Sequence, residues 1–190
     1  MIHSIRFKKD YRCFKAEDEI SFRPGINLLV GDQGTGKSTI LQLIRDSGTK
    51  NYAKKRVVEI VSIDADHGPS FAFDLEKDMP RTTSTFGANI GADLALRWSS
   101  HGQAVKAVVK AIPIQHGGAV VILDEPDMAL SIRSCVEIVS FLDSLEKKDC
   151  QILAAVHNPV LILSQKEVLS LEHRKWMSSK EFLSSHGFNV

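Results

Sequence analysis

Apolar and polar residues alternate in "MIHSIRF" and again in "DEISF", the two-residue period of strands covered on one face. The polar "KKDYRCFKAE" joins them, and a turn at "RPG" follows. "INLLV" is different: its apolar run is unbroken, as in a strand covered on both faces. Directly after it come "GDQGTGKST" and "TILQLIRD", where Ile40, Leu41, Leu43 and Ile44 recur at helical spacing and stop near Gly48. The order is strand, glycine loop, helix. Further on, "RVVEIVSID" and "SFAFDLE" flank "ADHGP" and predict a hairpin, while "ANIGADLALRW" and "GQAVKAVVKAI" predict helices on either side of the polar "SSHGQ". "AVVILDEP" predicts another buried strand, "IRSCVEIVSFLDSL" an amphipathic helix, and "QILAAVHNP" and "EVLSLE" two late strands. Ser178 and Glu181 form the capping box of a last helix in "SSKEFL".

Chemistry enters with the glycine loop. Gly31 to Ser38 follows the pattern G-x-x-x-x-G-K-S between a strand and a helix, the setting a phosphate-binding loop requires. Its glycines let successive backbone N–H groups turn towards phosphate oxygens, and the helix adds its positive end. Lys37 is expected to neutralise the β and γ phosphates and Ser38 to ligate magnesium. A second acidic point lies at the end of "VVIL", which delivers Asp124 and Glu125 to a strand's carboxyl end, where open α/β sheets bind ligands. Asp124 is expected to hold magnesium, directly or through water, and Glu125 to polarise an attacking water as general base.

Composition narrows the setting. With 190 residues, 43% hydrophobic and 25% charged, the chain suits one domain with a sizeable core, and we expect a single domain over 1–190. A formal charge of +1 excludes a polyelectrolyte surface, leaving local patches only. The apolar runs fall short of the roughly 18 residues that span a bilayer, so a cytoplasmic protein without membrane insertion is expected. Cys13, Cys135 and Cys150 are odd in number and widely spaced, which argues for reduced core thiols over disulfides or a zinc site.

Together these motifs resemble the ABC-type ATPase head, and the SMC, RecF and OLD group more than a transporter subunit. "LDEPDMALS" resembles the Walker B strand and D-loop of that superfamily, and "AAVHNPVLI" its switch-histidine segment. The resemblance runs from about residue 1 to 172. It implies an α/β P-loop NTPase fold with a central, mostly parallel sheet, an N-terminal antiparallel β part and a small helical signature region at about 84–112. It also implies that His157 contacts the γ phosphate, and that Asp32, Gln33, Gly34, Thr35, Gly36, Lys37, Ser38 and Thr39 surround the nucleotide. Ser99 to Gln103 resembles the LSGGQ-type signature, with Ser99 in place of leucine and His101 in place of a glycine. In the family, the residues matching Ser100, His101, Gly102 and Gln103 face the nucleotide of a second subunit, so ATP joins two heads. "DYRCF" resembles the "NFRSF"-like segment in which an arginine, here Arg12, approaches the nucleotide; Tyr11 is the alternative, stacking on the base. Lys54, Lys55 and Arg56 stand where related heads carry basic nucleotide- or DNA-contacting residues. No Q-loop glutamine is evident, and Asp74, Glu76 and Asp78 remain open as its substitute.

The expected activity is therefore hydrolysis of ATP with Mg2+ by a head that homodimerises around nucleotide. The resemblance extends to an unidentified protein partner, to DNA, and to DNA repair, recombination or phage-related defence. Two other classes compete: the nucleotide-binding subunit of a transporter, and a small P-loop kinase.

Overall fold

The structure, a computed structural model, describes residues 1–48, 52–67, 71–74, 118–128 and 130–190. The two helices expected around "SSHGQ", and the signature region with them, lie outside these residues, as do Glu76 and Asp78.

Two sheets organise the described chain. Strands β1 (Ile2–Phe7), β2 (Glu19–Ser21) and β4 (Val61–Ala65) form an antiparallel sheet in the order β2-β1-β4. Strands β3 (Ile26–Val30), β5 (Phe71–Asp74), β6 (Val120–Asp124), β7 (Gln151–Ala155), β8 (Glu167–Ser170) and β9 (Lys175–Ser178) form the second, in the order β5-β6-β7-β3-β8-β9. Every pairing in it is parallel except the β8–β9 hairpin. The expected fold class, α/β with a mostly parallel central sheet and an N-terminal antiparallel part, is the one observed.

The apolar runs of the central strands follow from burial on both faces. Leu28, Val30, Val121, Leu123, Ile152 and Ala154 point into one core with helices α3 (Ile132–Glu146), α4 (Pro159–Leu163) and α5 (Ser179–Ser185). Their alternating neighbours Leu29, Val120, Ile122, Leu153 and Ala155 face a second core. That second core also takes in the antiparallel sheet and helices α1 (Lys37–Ser47) and α2 (Tyr52–Ile60). Period-two alternation thus persists where hydrophobicity alone shows none.

The two sheets are joined by one buried amide. Gln151, on β7, accepts the Ile2 N–H through Oε1 at 2.7 Å, and its Nε2 donates to the carbonyls of Ile2 at 2.8 Å and Arg23 at 3.0 Å. At 3% exposure its polar atoms are satisfied by backbone, which is what permits an amide there.

Several expectations need correction. "RVVEI" is the end of α2, not a strand; strand begins only at Val61. Val57 and Ile60, three apart, are buried while Val58 between them is exposed, the signature of a helix face. β4 and β5 do not form a hairpin, because they belong to different sheets. Ser178 is the N-cap residue of α5, yet its side chain makes no capping hydrogen bond, so the box is positional only. Strand β9, "KWMS", pairs antiparallel with β8 and lies beyond the two late strands that the sequence predicts. Cys135 and Cys150 are buried free thiols, pushed up in pKa chiefly by burial, but Cys13 is exposed.

Candidate functional site

Parallel register brings the carboxyl ends of four strands into one row. Asp74 pairs with Asp124, Asp124 with Ala155, and Leu29 with Ala155, so β5, β6, β7 and β3 all release their chains at the same edge. The segments leaving these strands therefore converge: the glycine loop after β3, Glu125 after β6, and His157 after β7.

The loop itself depends on Gly36. Its φ of 99° is a left-handed conformation that side chains rarely adopt, and a Cβ there would collide with the Phe14 ring and lie 2.7 Å from Cys13 Sγ. Phe14 is fully buried, stacked on Phe7 at 4.2 Å between centroids and covered by the Arg174 guanidinium at 4.2 Å. The glycine loop thus rests on the "DYRCF" segment. Reciprocal backbone bonds between Tyr11 and Phe14 close that segment into a tight turn, with Arg12 at φ 54°. Arg12 is thereby turned to the start of α1, where its Nη1 donates to Thr39 Oγ1 at 2.9 Å.

A cleft of about 310 Å³ opens above the loop, lined by Arg12, Cys13, Gln33, Gly34, Gly36, Lys37, Ser38, Thr39, Glu125 and His157. Lys37 is 5% exposed and its Nζ donates to the carbonyls of Gly31 at 2.6 Å and Asp32 at 3.0 Å. Burial lowers its pKa, against the pull of Glu125, Asp124, Asp32 and Glu172. Ser38 Oγ donates to Asp124 Oδ1 at 3.0 Å. These are two hard oxygen donors on separate elements, a pair that suits Mg2+. Glu125 Oε1 lies 3.3 Å from His157 Nε2. Glu125 is itself held at φ 53°, costly for a residue with a side chain and common where a site dictates the backbone.

Not every expected residue enters the cleft. Asp32 faces away: its N–H donates to Glu172 Oε1 at 2.5 Å, and His186 approaches Glu172 at 3.6 Å and Asp32 at 3.9 Å. Thr35 Oγ1 turns back to the Asp32 carbonyl at 2.8 Å. For the missing glutamine, Asp74 stands beside Asp124 by register; Glu76 and Asp78 lie outside the described residues, as do Ser100, His101, Gly102 and Gln103. Tyr11 and Arg56 line a neighbouring cavity of about 300 Å³ with Arg12, Thr39, Gln42 and Val57. Lys55 and Arg56 are exposed on α2.

Sequence reasoning missed three residues. Cys13 lines the cleft, Phe14 supports the loop, and Asp127, 5% exposed, accepts the backbone N–H groups of His157 at 2.7 Å and Asn158 at 2.6 Å. Only Asp127 carried a signal, an acidic residue just beyond "DEP".

Comparison with known proteins bears on the fold. An AAA domain family matches residues 9–86, the span that holds the glycine loop. No curated protein matches the chain in sequence. Among solved structures, CbiO1 from Clostridium perfringens, described as part of the ABC transporter complex CbiONQ, superposes with a TM-score of 0.59 at 17% identity, over 97% of this chain and 92% of its own. An ATP-binding cassette of an ABC transporter in its ADP conformation gives 0.58 at 11%, over 97% and 95%. A dimeric cassette in a post-hydrolysis state with ADP and Pi gives 0.59 at 13%, over 94% and 97%. At these identities the likeness establishes the fold, which is that of ABC-type P-loop ATPase nucleotide-binding domains.

Proposed function

We propose that this chain is an ATPase head that converts ATP and water to ADP and phosphate. The observation that carries the reading is the meeting of Glu125 and His157, 3.3 Å apart, on the wall of the cleft that the glycine loop floors. Loop N–H groups and Lys37 hold the phosphates, and Arg12 and Thr39 extend the wall towards the cavity beside Tyr11. Ser38 and Asp124 would hold Mg2+, which supplies charge neutralisation on the phosphates when bound. Glu125 takes the proton of the attacking water, whose oxygen bonds to the terminal phosphorus as the bond to ADP breaks. His157 orients Glu125 and contacts the terminal phosphate. Asp74, Glu76 or Asp78 would stand in for the absent Q-loop glutamine.

The finer reading is a single head over residues 1–190 of the SMC, RecF and OLD kind, homodimerising through Ser100, His101, Gly102 and Gln103. It acts in the cytoplasm on DNA through Lys54, Lys55 and Arg56. Among the described residues no helix is long and apolar enough to cross a membrane. A second reading, the nucleotide-binding subunit of a transporter, draws on the transporter cassettes whose fold this chain shares.

The test is phosphate release with ATP and Mg2+, alongside solution mass. Wild type is expected to release phosphate, Glu125→Gln to lose about a hundredfold in kcat or more, and that variant to form an ATP-dependent dimer. Release unaffected by Glu125→Gln would remove the assignment, and a variant monomeric with ATP would remove the dimer. DNA binding that weakens with salt and with charge reversal at Lys54, Lys55 and Arg56 supports the DNA reading. Co-purification with a membrane subunit supports the other.

A further inference from the structure

Two chain exits lie side by side where β6 and β7 end, and they carry the Glu125 and His157 side chains. The Glu125 N–H donates to the Ala155 carbonyl at 3.1 Å, and the Val156 N–H to Leu29 at 3.1 Å, the last backbone bonds of this edge. Beyond them the His157 and Asn158 N–H groups have left the ladder. Both are taken by a single atom, Asp127 Oδ2. Its partner oxygen, Oδ1, is buried and has no hydrogen-bond partner among the described residues.

We infer that Asp127 is the positioning residue for His157, acting through its backbone and touching neither nucleotide nor water itself. One oxygen shared by two consecutive N–H groups fixes the peptide orientation on either side of His157, and so the direction in which the imidazole leaves the chain. The link is made at one end to the turn that carries Glu125, since the Met128 N–H closes that turn on the Glu125 carbonyl at 3.2 Å. Asp127 therefore ties the two halves of the pair to each other independently of any ligand. A carboxylate kept at 5% exposure with an idle oxygen is an expensive way to satisfy two N–H groups in a merely structural turn. Charge-assisted bonds of 2.6 and 2.7 Å hold more firmly than a neutral acceptor would.

The inference rests on the ATPase reading for its rate, not for its geometry. Asp127→Ala, Asp127→Asn, His157→Ala and the double variant Asp127→Ala/His157→Ala are compared. Measured are kcat for phosphate release, affinity for a fluorescent ATP analogue, unfolding midpoint, and the amide NMR signals of His157 and Asn158. Asp127→Ala is expected to lower kcat by about ten- to a hundredfold with affinity within about twofold, because misplacing a reacting group costs rate before binding. Asp127→Asn restores an acceptor and most of kcat. In the His157→Ala background, loss of Asp127 costs nothing further. Equal losses in both backgrounds, or an unchanged kcat in folded Asp127→Ala, overturn the inference. If Asp127→Ala does not fold, Asp127→Asn made in wild type and in His157→Ala decides: a kcat loss persisting without the histidine overturns it. Should wild type release no phosphate, the ATPase reading fails by itself. The amide signals still decide the geometry: they must shift and exchange faster in folded Asp127→Ala or Asp127→Asn, and unmoved signals overturn the contact.

Discussion

Lys37 sets its ammonium against the carbonyls of its own loop, at a cost set by burial. The sign of that cost fixes a pH dependence. Well below the lowered folded pKa, both folded and unfolded chains hold the proton and the penalty is fully present, so Lys37→Met is expected to be more stable than wild type. As pH rises through the folded pKa towards the ordinary 10.5, the folded protein sheds the proton first and the unfolded chain binds more. Wild-type stability then gains on the variant. Urea midpoints at neutral pH and at about pH 10 should show the gap narrowing, and a constant gap would rule out a penalised ammonium. On the proposed ATPase reading, nucleotide would relieve the same penalty by giving the ammonium a phosphate to face.

At the scale of elements, the antiparallel β part and the glycine loop act as one through Phe14. Its ring is fully buried between Phe7, Arg174 and the loop at Gly36, so Phe14→Ala should cost about 3–5 kcal/mol, read as a lowered urea midpoint. It should also weaken nucleotide binding, because the loop loses its floor. A stability loss under about 1 kcal/mol would show that the ring is not the support. What the sequence made legible at this scale was local: strand, glycine loop and helix are contiguous, and their periods change at the motif. The acidic strand end and the histidine segment were readable for the same reason. "RVVEI" was not, because adjacent β-branched residues satisfy a strand pattern, and only packing of Val57 and Ile60 against the second core selects a helix. The separation of β4 from β5 is a tertiary outcome that no local pattern contains. Asp127 lies far from His157 in sequence and adjacent in space, so parallel pairing of β6 and β7 had to be seen first.

Across the whole molecule, the two cores share one central sheet, and the candidate site lies at the edge where both meet the loops. Two of the three strands in the antiparallel sheet come before the glycine loop and the third follows α2, so this sheet is assembled from both sides of the motif it supports. Its polar ties to the parallel sheet include the exposed bond from the Trp176 indole N–H to the Ser21 carbonyl at 3.2 Å and, buried between the sheets, Gln151. As the buried tie, Gln151 is expected to decide whether the two sheets open in one step or two. With the amide in place, the Ile5 and Leu153 N–H groups should exchange with solvent deuterium at the same opening free energy. In Gln151→Leu, the β1 amides should exchange through a lower-energy opening of their own while β7 stays protected, splitting one cooperative unit into two. Equal protection in the variant would mean that apolar packing alone binds the sheets.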